Sequence, residues 1–133
     1  MKTNNKTIYK ELKKTFDSID SERSVVGGLL LDPCLDRVLG TGLVSDDFSD
    51  DKLRYIFSCI IEMTDKKMSV DMLTTRDYIN FQEQPKSRSW AVDFKDLAFL
   101  TEDCIGVDNI EVYATHIRTC RISNDIELWK FNI

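Results

Sequence analysis

The chain has 133 residues, 42% of them hydrophobic and 31% charged, the composition of one ordinary globular domain. A chain this long buries enough apolar surface to hold a core without metal or disulfides, and its composition excludes a disordered, collagen-like or low-complexity chain. The net charge of −5 is uneven: residues 1–16 carry Lys2, Lys6, Lys10, Lys13 and Lys14 against Glu11, a balance of +4 that leaves −9 on residues 17–133. An acidic body repels phosphate backbones, so nucleic-acid binding is expected to be weak or absent. The longest apolar runs, such as residues 27–31, are far shorter than the roughly 20 residues of a membrane span. The opening MKTNNKTIYKELKK has no apolar signal core. No membrane contact and a cytoplasmic location are expected.

Apolar spacing is helical almost throughout and strict alternation is nearly missing. This predicts an all-α fold, a compact bundle of six or seven short helices. In the basic arm, residues 1–17, Ile8, Leu12 and Phe16 lie four apart and predict a short helix. The next helix is predicted over Ser18–Leu31, with Ser18 as N-cap and Asp20 and Glu22 in the first turn, where the dipole favours acids. Val25, Val26, Leu29 and Leu30 form its buried face. Gly27 and Gly28 cost about 1 kcal/mol each relative to alanine inside a helix, so they are expected where another helix comes close. Asp32 is expected to cap a short helix with Pro33 at its first position, ending near Gly40.

The strongest stripe is Leu53, Ile56, Phe57, Ile60, Ile61 and Met63, on a helix over about 50–66 capped by Asp50 or Asp51. Asp71 caps a helix whose stripe is Met72, Leu73, Tyr78, Ile79 and Phe81. Residues 82–89 read as a loop. A helix over about 93–103 presents Phe94, Leu97, Ala98 and Leu100, and Asp108 is expected to cap the last helix, which continues through Tyr113, Ala114 and Ile117.

Chemistry has little to stand on. Cys34, Cys59, Cys104 and Cys120 are scattered, without a CxxC pair, and His116 is the one histidine, so no metal site and no disulfide framework are expected. Cys59 reads as a small core residue. His116 and Cys120 share one helix face, but no third group is visible to orient the histidine. The acidic stretch 46–51 lacks the glycine and terminal glutamate of a calcium loop. No phosphate loop, dinucleotide fingerprint or nucleophile elbow occurs. No catalytic residue, no cofactor and no enzymatic activity are expected.

Several segments, in order, resemble one family. Residues 18–33, SIDSERSVVGGLLLDP, are close to the opening S-I-E-A-E-Q-S-V-L-G-G-L-L-L-D of the N-terminal domain of DnaB-type replicative helicases. Ser45-Asp46-Asp47-Phe48 resembles its D-D-F turn, and Arg54-Tyr55-Ile56-Phe57 its H-R-x-I-F helix, with Leu53 where the family has histidine. Val70-Asp71-Met72-Leu73-Thr74 resembles V-D-L-V-T. Asn109-Ile110-Glu111-Val112-Tyr113-Ala114 with Arg118 resembles A-N-I-x-A-Y-A-x-I-V-R. Residues 89–94 and 103–108 depart from the family's G-G-x-x-Y-L and N-T-P-S-A-A segments. The likeness covers about residues 18–121. It implies the globular head that forms the helicase collar, pairs subunits and receives primase and loader. The family's helical hairpin, linker and ATPase domain would follow about where this chain ends, which implies a head without its motor.

Beyond the head, residues 122–133 are expected to form an apolar helical tail. Ile122, Ile126, Trp129 and Ile133 are spaced 4, 3 and 4, with Leu128 and Phe131 on other faces. A terminal helix apolar nearly all round needs a partner, and Trp is enriched at interface hot spots. These six residues are the expected protein interface, and a homodimer is the expected assembly. The resemblance implies a non-enzymatic replication module that mimics the collar. It would bind a replicative helicase, or its primase or loader, and inhibit or redirect replication, as a phage- or mobile-element-encoded protein would. Two alternatives stand beside it: an excised collar domain of an ordinary helicase, and a small DNA-binding regulator that uses the lysine arm.

Overall fold

A computed structural model describes residues 17–82, 90–104 and 106–131, the last four in backbone alone. These residues form α1 (Ile19–Leu31), α2 (Leu35–Leu39), a 3-10 turn η1 (Ser45–Asp47), α3 (Asp51–Asp65), α4 (Met72–Phe81), α5 (Phe94–Glu102) and α6 (Ile110–Phe131). The fold is all-α, and no strand occurs among the described residues. The expected arm helix, and the expected loop beyond Gln82, lie outside the described residues. No helix among the described residues is long and apolar enough to cross a membrane.

Helix α1 is central and touches α3, α4, α5 and α6. Its predicted face is the buried one: Val25, Val26, Leu29 and Leu30 are closed off from solvent. The paired glycines make the crossings. A Cβ at Gly27 would sit 2.3 Å from the Leu100 carbonyl oxygen, so α5 lies directly on the α1 backbone. A Cβ at Gly28 would meet the ends of Ile110 and Val107 at 3.0 and 3.2 Å, where α6 begins. The glycines give up helix propensity in exchange for close backbone approach on two sides.

Helix α3 forms as its pattern predicts. The Asp50 carboxylate accepts from the Leu53 N–H at 3.0 Å, and Leu53, Ile56, Phe57, Cys59, Ile60 and Met63 are buried. Phe57 packs on Phe48 with ring centroids 4.7 Å apart. Asp71 and Asp93 cap α4 and α5, accepting from the Thr74 and Asp96 N–H groups at 2.9 and 3.0 Å.

Four expectations need correction. The short second helix starts at Leu35 with Cys34 before it, not at Pro33. Asp32 instead closes α1, its N–H donating to the Gly28 carbonyl, and its backbone is extended (φ −143°, ψ 131°). Ser18 stands at the α1 N-terminus, but its hydroxyl does not cap; Asp17 accepts from the Ile19 N–H at 2.9 Å. The last helix begins at Ile110, with the Asn109 carbonyl taking its first bonds; Asp108 instead offers its carbonyl to Arg37. The α4 and α5 stripes are narrower than predicted. Leu73 is 55% exposed and Phe81 88%, because α4 touches the core through Thr75, Tyr78 and Ile79. Phe94 is exposed beneath the Arg76 guanidinium, 5.5 Å from its ring.

Glu22 is the main departure from the sequence reading. It is fully buried, and no helix-dipole argument foresees that. One carboxylate oxygen accepts from the Ser18 and Ser49 hydroxyls, both at 2.6 Å. The other accepts from the Ser49 and Asp50 N–H groups at 2.9 and 3.1 Å. Four donors replace lost hydration, and the two hydroxyl bonds have the short length of charge-assisted ones. Glu22 thereby ties the first turn of α1 to the chain entering α3.

Candidate protein interface

Helix α6 carries the candidate interface, and its position follows from two unlike faces. Ile110, Ala114, Ile117 and Cys120 recur at helical spacing and are buried against the domain. Three arginines fix the helix further. Arg37 on α2 pairs with Glu111. Arg118 donates to the Thr41 carbonyl at 2.9 Å, and Arg121 donates to the Asp46 carbonyl. The Arg118 guanidinium fills the space beside Gly42, whose φ of +89° also favours glycine.

The opposite face is open. Val112 is 63% exposed, Ile122 50% and Ile126 49%, and Thr115 and Thr119 between them are also exposed. Val112, Thr115, Thr119, Ile122 and Ile126 are spaced 3, 4, 3 and 4. That is the seven-residue repeat of a helix–helix seam, with β-branched residues at every seam position. Ala114 and Ile117 fall on the far side, in the domain's own core. One helix therefore serves two surfaces, one buried and one without a cover among the described residues.

Of the six residues expected at the interface, Ile122 and Ile126 are placed on this face, half exposed. Leu128, Trp129 and Phe131 belong to α6 by their backbone, and their side chains, like Ile133 as a whole, lie outside the described residues. By count, Trp129 and Ile133 continue the seam and Leu128 and Phe131 do not. Helix α6 runs uninterrupted across the expected tail boundary at 121/122. Val112, Thr115 and Thr119 were missed, although extending the 4, 3, 4 spacing backwards finds them; their threonines and their place inside the head domain hid them.

The other candidate chemistry is weak. The Cys120 thiol lies 3.5 Å from His116 Nε2. Burial pushes that thiol up from its ordinary value, and the charges of Asp17 and Glu22 push it further, the opposite of what a thiolate nucleophile needs. His116 Nε2 also faces the Asp17 carbonyl at 3.4 Å, a backbone group rather than an orienting carboxylate. Among the described residues no group of three His, Cys, Asp or Glu side chains is placed to hold a metal.

The family model of the DnaB-like helicase N-terminal domain matches residues 14–119. The chain belongs to the DnaB-like helicase N-terminal domain family. Among solved structures, its fold is similar to the N-terminal domain of DnaB helicase from Mycobacterium tuberculosis, with a TM-score of 0.75 and 17% identity, over 86% of this chain and 80% of that one. The family match covers the helices that build the core, from α1 into α6, and stops inside α6 at Thr119. The half-exposed isoleucines Ile122 and Ile126 lie beyond the matched segment. Within the DnaB-like segment, Ser18, Glu22, Gly27 and Gly28, which carry the sequence likeness, are all spent on internal contacts.

Proposed function

We propose that this DnaB-like domain is a replication module that works by contact. It pairs through the outer face of α6 and binds a replicative helicase, or the primase or loader that serves one, so as to inhibit or redirect replication. The supporting observation is the apolar seam from Val112 to Ile126, which the domain's own core leaves open. A helix with one face in the core and a heptad seam outside has the form of a pairing element. Family membership supplies the setting, a collar-type domain of replicative helicases. Inhibition is favoured over recruitment, because a collar domain that occupies a docking surface displaces what normally binds there. The test is co-sedimentation with the replicative helicase of the host cell, followed by a strand-unwinding assay. Complex formation that slows unwinding, and that is lost in the Ile122→Asp/Ile126→Asp variant, is the expected result. A folded protein that binds neither helicase, primase nor loader refutes the proposal.

A further inference from the structure

The outer face of α6 is graded in size. Its first half, Val112, Thr115 and Thr119, is small, and the same turns send Ile110, Ala114, Ile117 and Cys120 into the core. Its second half, Ile122 and Ile126, is larger, and by count Trp129 continues it. Over residues 121–127 no side chain is buried, so this half takes no part in the core. The Thr119 hydroxyl donates to the Thr115 carbonyl at 2.8 Å, so it needs no partner across the seam. One flank of the face carries Arg118 and, two turns on, Asp125, both exposed. Arg118 donates to the Thr41 carbonyl and has no ion pair among the described residues. Asp125 lies 3.2 Å from Arg121 on its own helix.

We propose that two copies of this chain pair with their α6 helices antiparallel, about a twofold axis level with residues 120–121. This rests on the pairing proposed above and fixes its direction. At that register Thr119 meets the partner's Ile122, Thr115 meets the partner's Ile126, and Val112 meets the partner's Trp129. Every layer then joins a small side chain to a large one, which is how facing helices fill the space between them. The outer half of each helix covers the core-bound half of the other. A parallel, in-register pair stacks like on like. It sets threonine on threonine in two successive layers, which are polar and underfilled. The antiparallel register also brings Arg118 level with the partner's Asp125, once on each side of the axis, and supplies the carboxylate that Arg118 lacks. The parallel register leaves Arg118 facing the partner's Ser123 but matches Asp125 with the partner's Lys130. Charge alone therefore does not choose a direction; the size gradient does.

A photo-crosslinker in the seam reads the direction. The intact chain carries Ile126→p-benzoylphenylalanine, a large residue at a half-exposed position. After irradiation the covalent dimer is digested with trypsin and its adduct is mapped by mass spectrometry. The expected adduct is in the partner's peptide that ends at Arg118 and contains Thr115. An adduct in the partner's 122–130 peptide overturns the proposal and leaves the pairing standing, because the helices are then parallel. A wild-type chain that sediments as a monomer overturns both. Charge exchange gives an independent readout by sedimentation equilibrium, with circular dichroism to check the fold. Arg118→Glu and Asp125→Arg alone should each weaken the dimer by about tenfold, since each turns two attractive contacts repulsive. The double variant Arg118→Glu/Asp125→Arg should return it to within about threefold of wild type. A double variant no tighter than the single ones overturns the proposal.

Discussion

Gly27→Ala isolates the central packing decision of the fold. The new methyl carbon would lie 2.3 Å from the Leu100 oxygen, 2.9 Å from its carbonyl carbon and 3.3 Å from Cys104 Cβ. Ordinary contact begins near 3.4 Å, so α5 must retreat from α1 by about 1 Å. The obstacle is backbone, which cannot rotate aside, and the core around it is close-packed. Alanine gains about 1 kcal/mol of helix propensity. Overpacking against an unyielding neighbour costs about 3 kcal/mol, at the upper end of its usual range. The net expectation is a loss of about 2 kcal/mol, or about 6–8 °C in Tm for a chain of this size. Gly28→Ala is the internal control. Its methyl meets only the side-chain ends of Ile110 and Val107, which can shift by a few tenths of an ångström, so its stability should stay within about 0.5 kcal/mol of wild type. Thermal and urea unfolding followed by circular dichroism read both. A Gly27→Ala variant as stable as the wild type would refute the reasoning, because propensity alone predicts a gain.

Three further outcomes follow from particular side chains. Glu22→Ala removes the acceptor of four hydrogen bonds in a buried site, and should cost about 3 kcal/mol or more by urea titration. Glu22→Gln keeps the shape and should cost less than half as much; equal losses would show that the site depends on the carboxylate as acceptor and that keeping its shape contributes nothing. The Thr75 hydroxyl is buried without a partner, so Thr75→Val should stabilise by up to about 1 kcal/mol, and a fall in Tm would contradict that. The Asp71 carboxyl is held below its usual range by the Thr74 N–H it caps. A lowered folded-state pKa contributes stability above the unfolded value near 4, and that contribution is lost as pH falls through the folded value. Asp71→Asn keeps a capping side chain but does not titrate, so its stability should fall less steeply than wild type below about pH 4. Parallel curves would contradict the assignment.

Much of the fold was legible because local rules and packing agree. Asp71 caps as predicted, Asp50 is the cap of the two aspartates offered for α3, and the α3 stripe is the buried one. Gly27 and Gly28 announced a close crossing, and two were found. Local rules failed where long-range contacts decide. Glu22 looks like a solvated first-turn acid, yet its donors Ser49 and Asp50 lie 27 and 28 residues away. Leu73 and Phe81 are apolar, but at 100° per residue they lie off the face of Thr75, Tyr78 and Ile79 that α4 turns to the core. The candidate interface was half legible: Ile122 and Ile126 stood out as aliphatic residues, whereas Thr115 and Thr119 read as polar surface until α6 was seen to expose them on the same face. The most recognisable residues of the family segment, Ser18, Glu22, Gly27 and Gly28, make internal contacts that hold the fold.

Sedimentation equilibrium of the intact chain tests the account most directly, comparing wild type with Ile122→Asp/Ile126→Asp. Both isoleucines are half exposed, so the variant should fold, and placing charges in an apolar seam should disrupt pairing. The account predicts a wild-type dimer near twice 15.4 kDa and a variant at the monomer mass. A monomeric wild type, or a variant that remains a dimer, would contradict the claim that the outer face of α6 is the pairing surface.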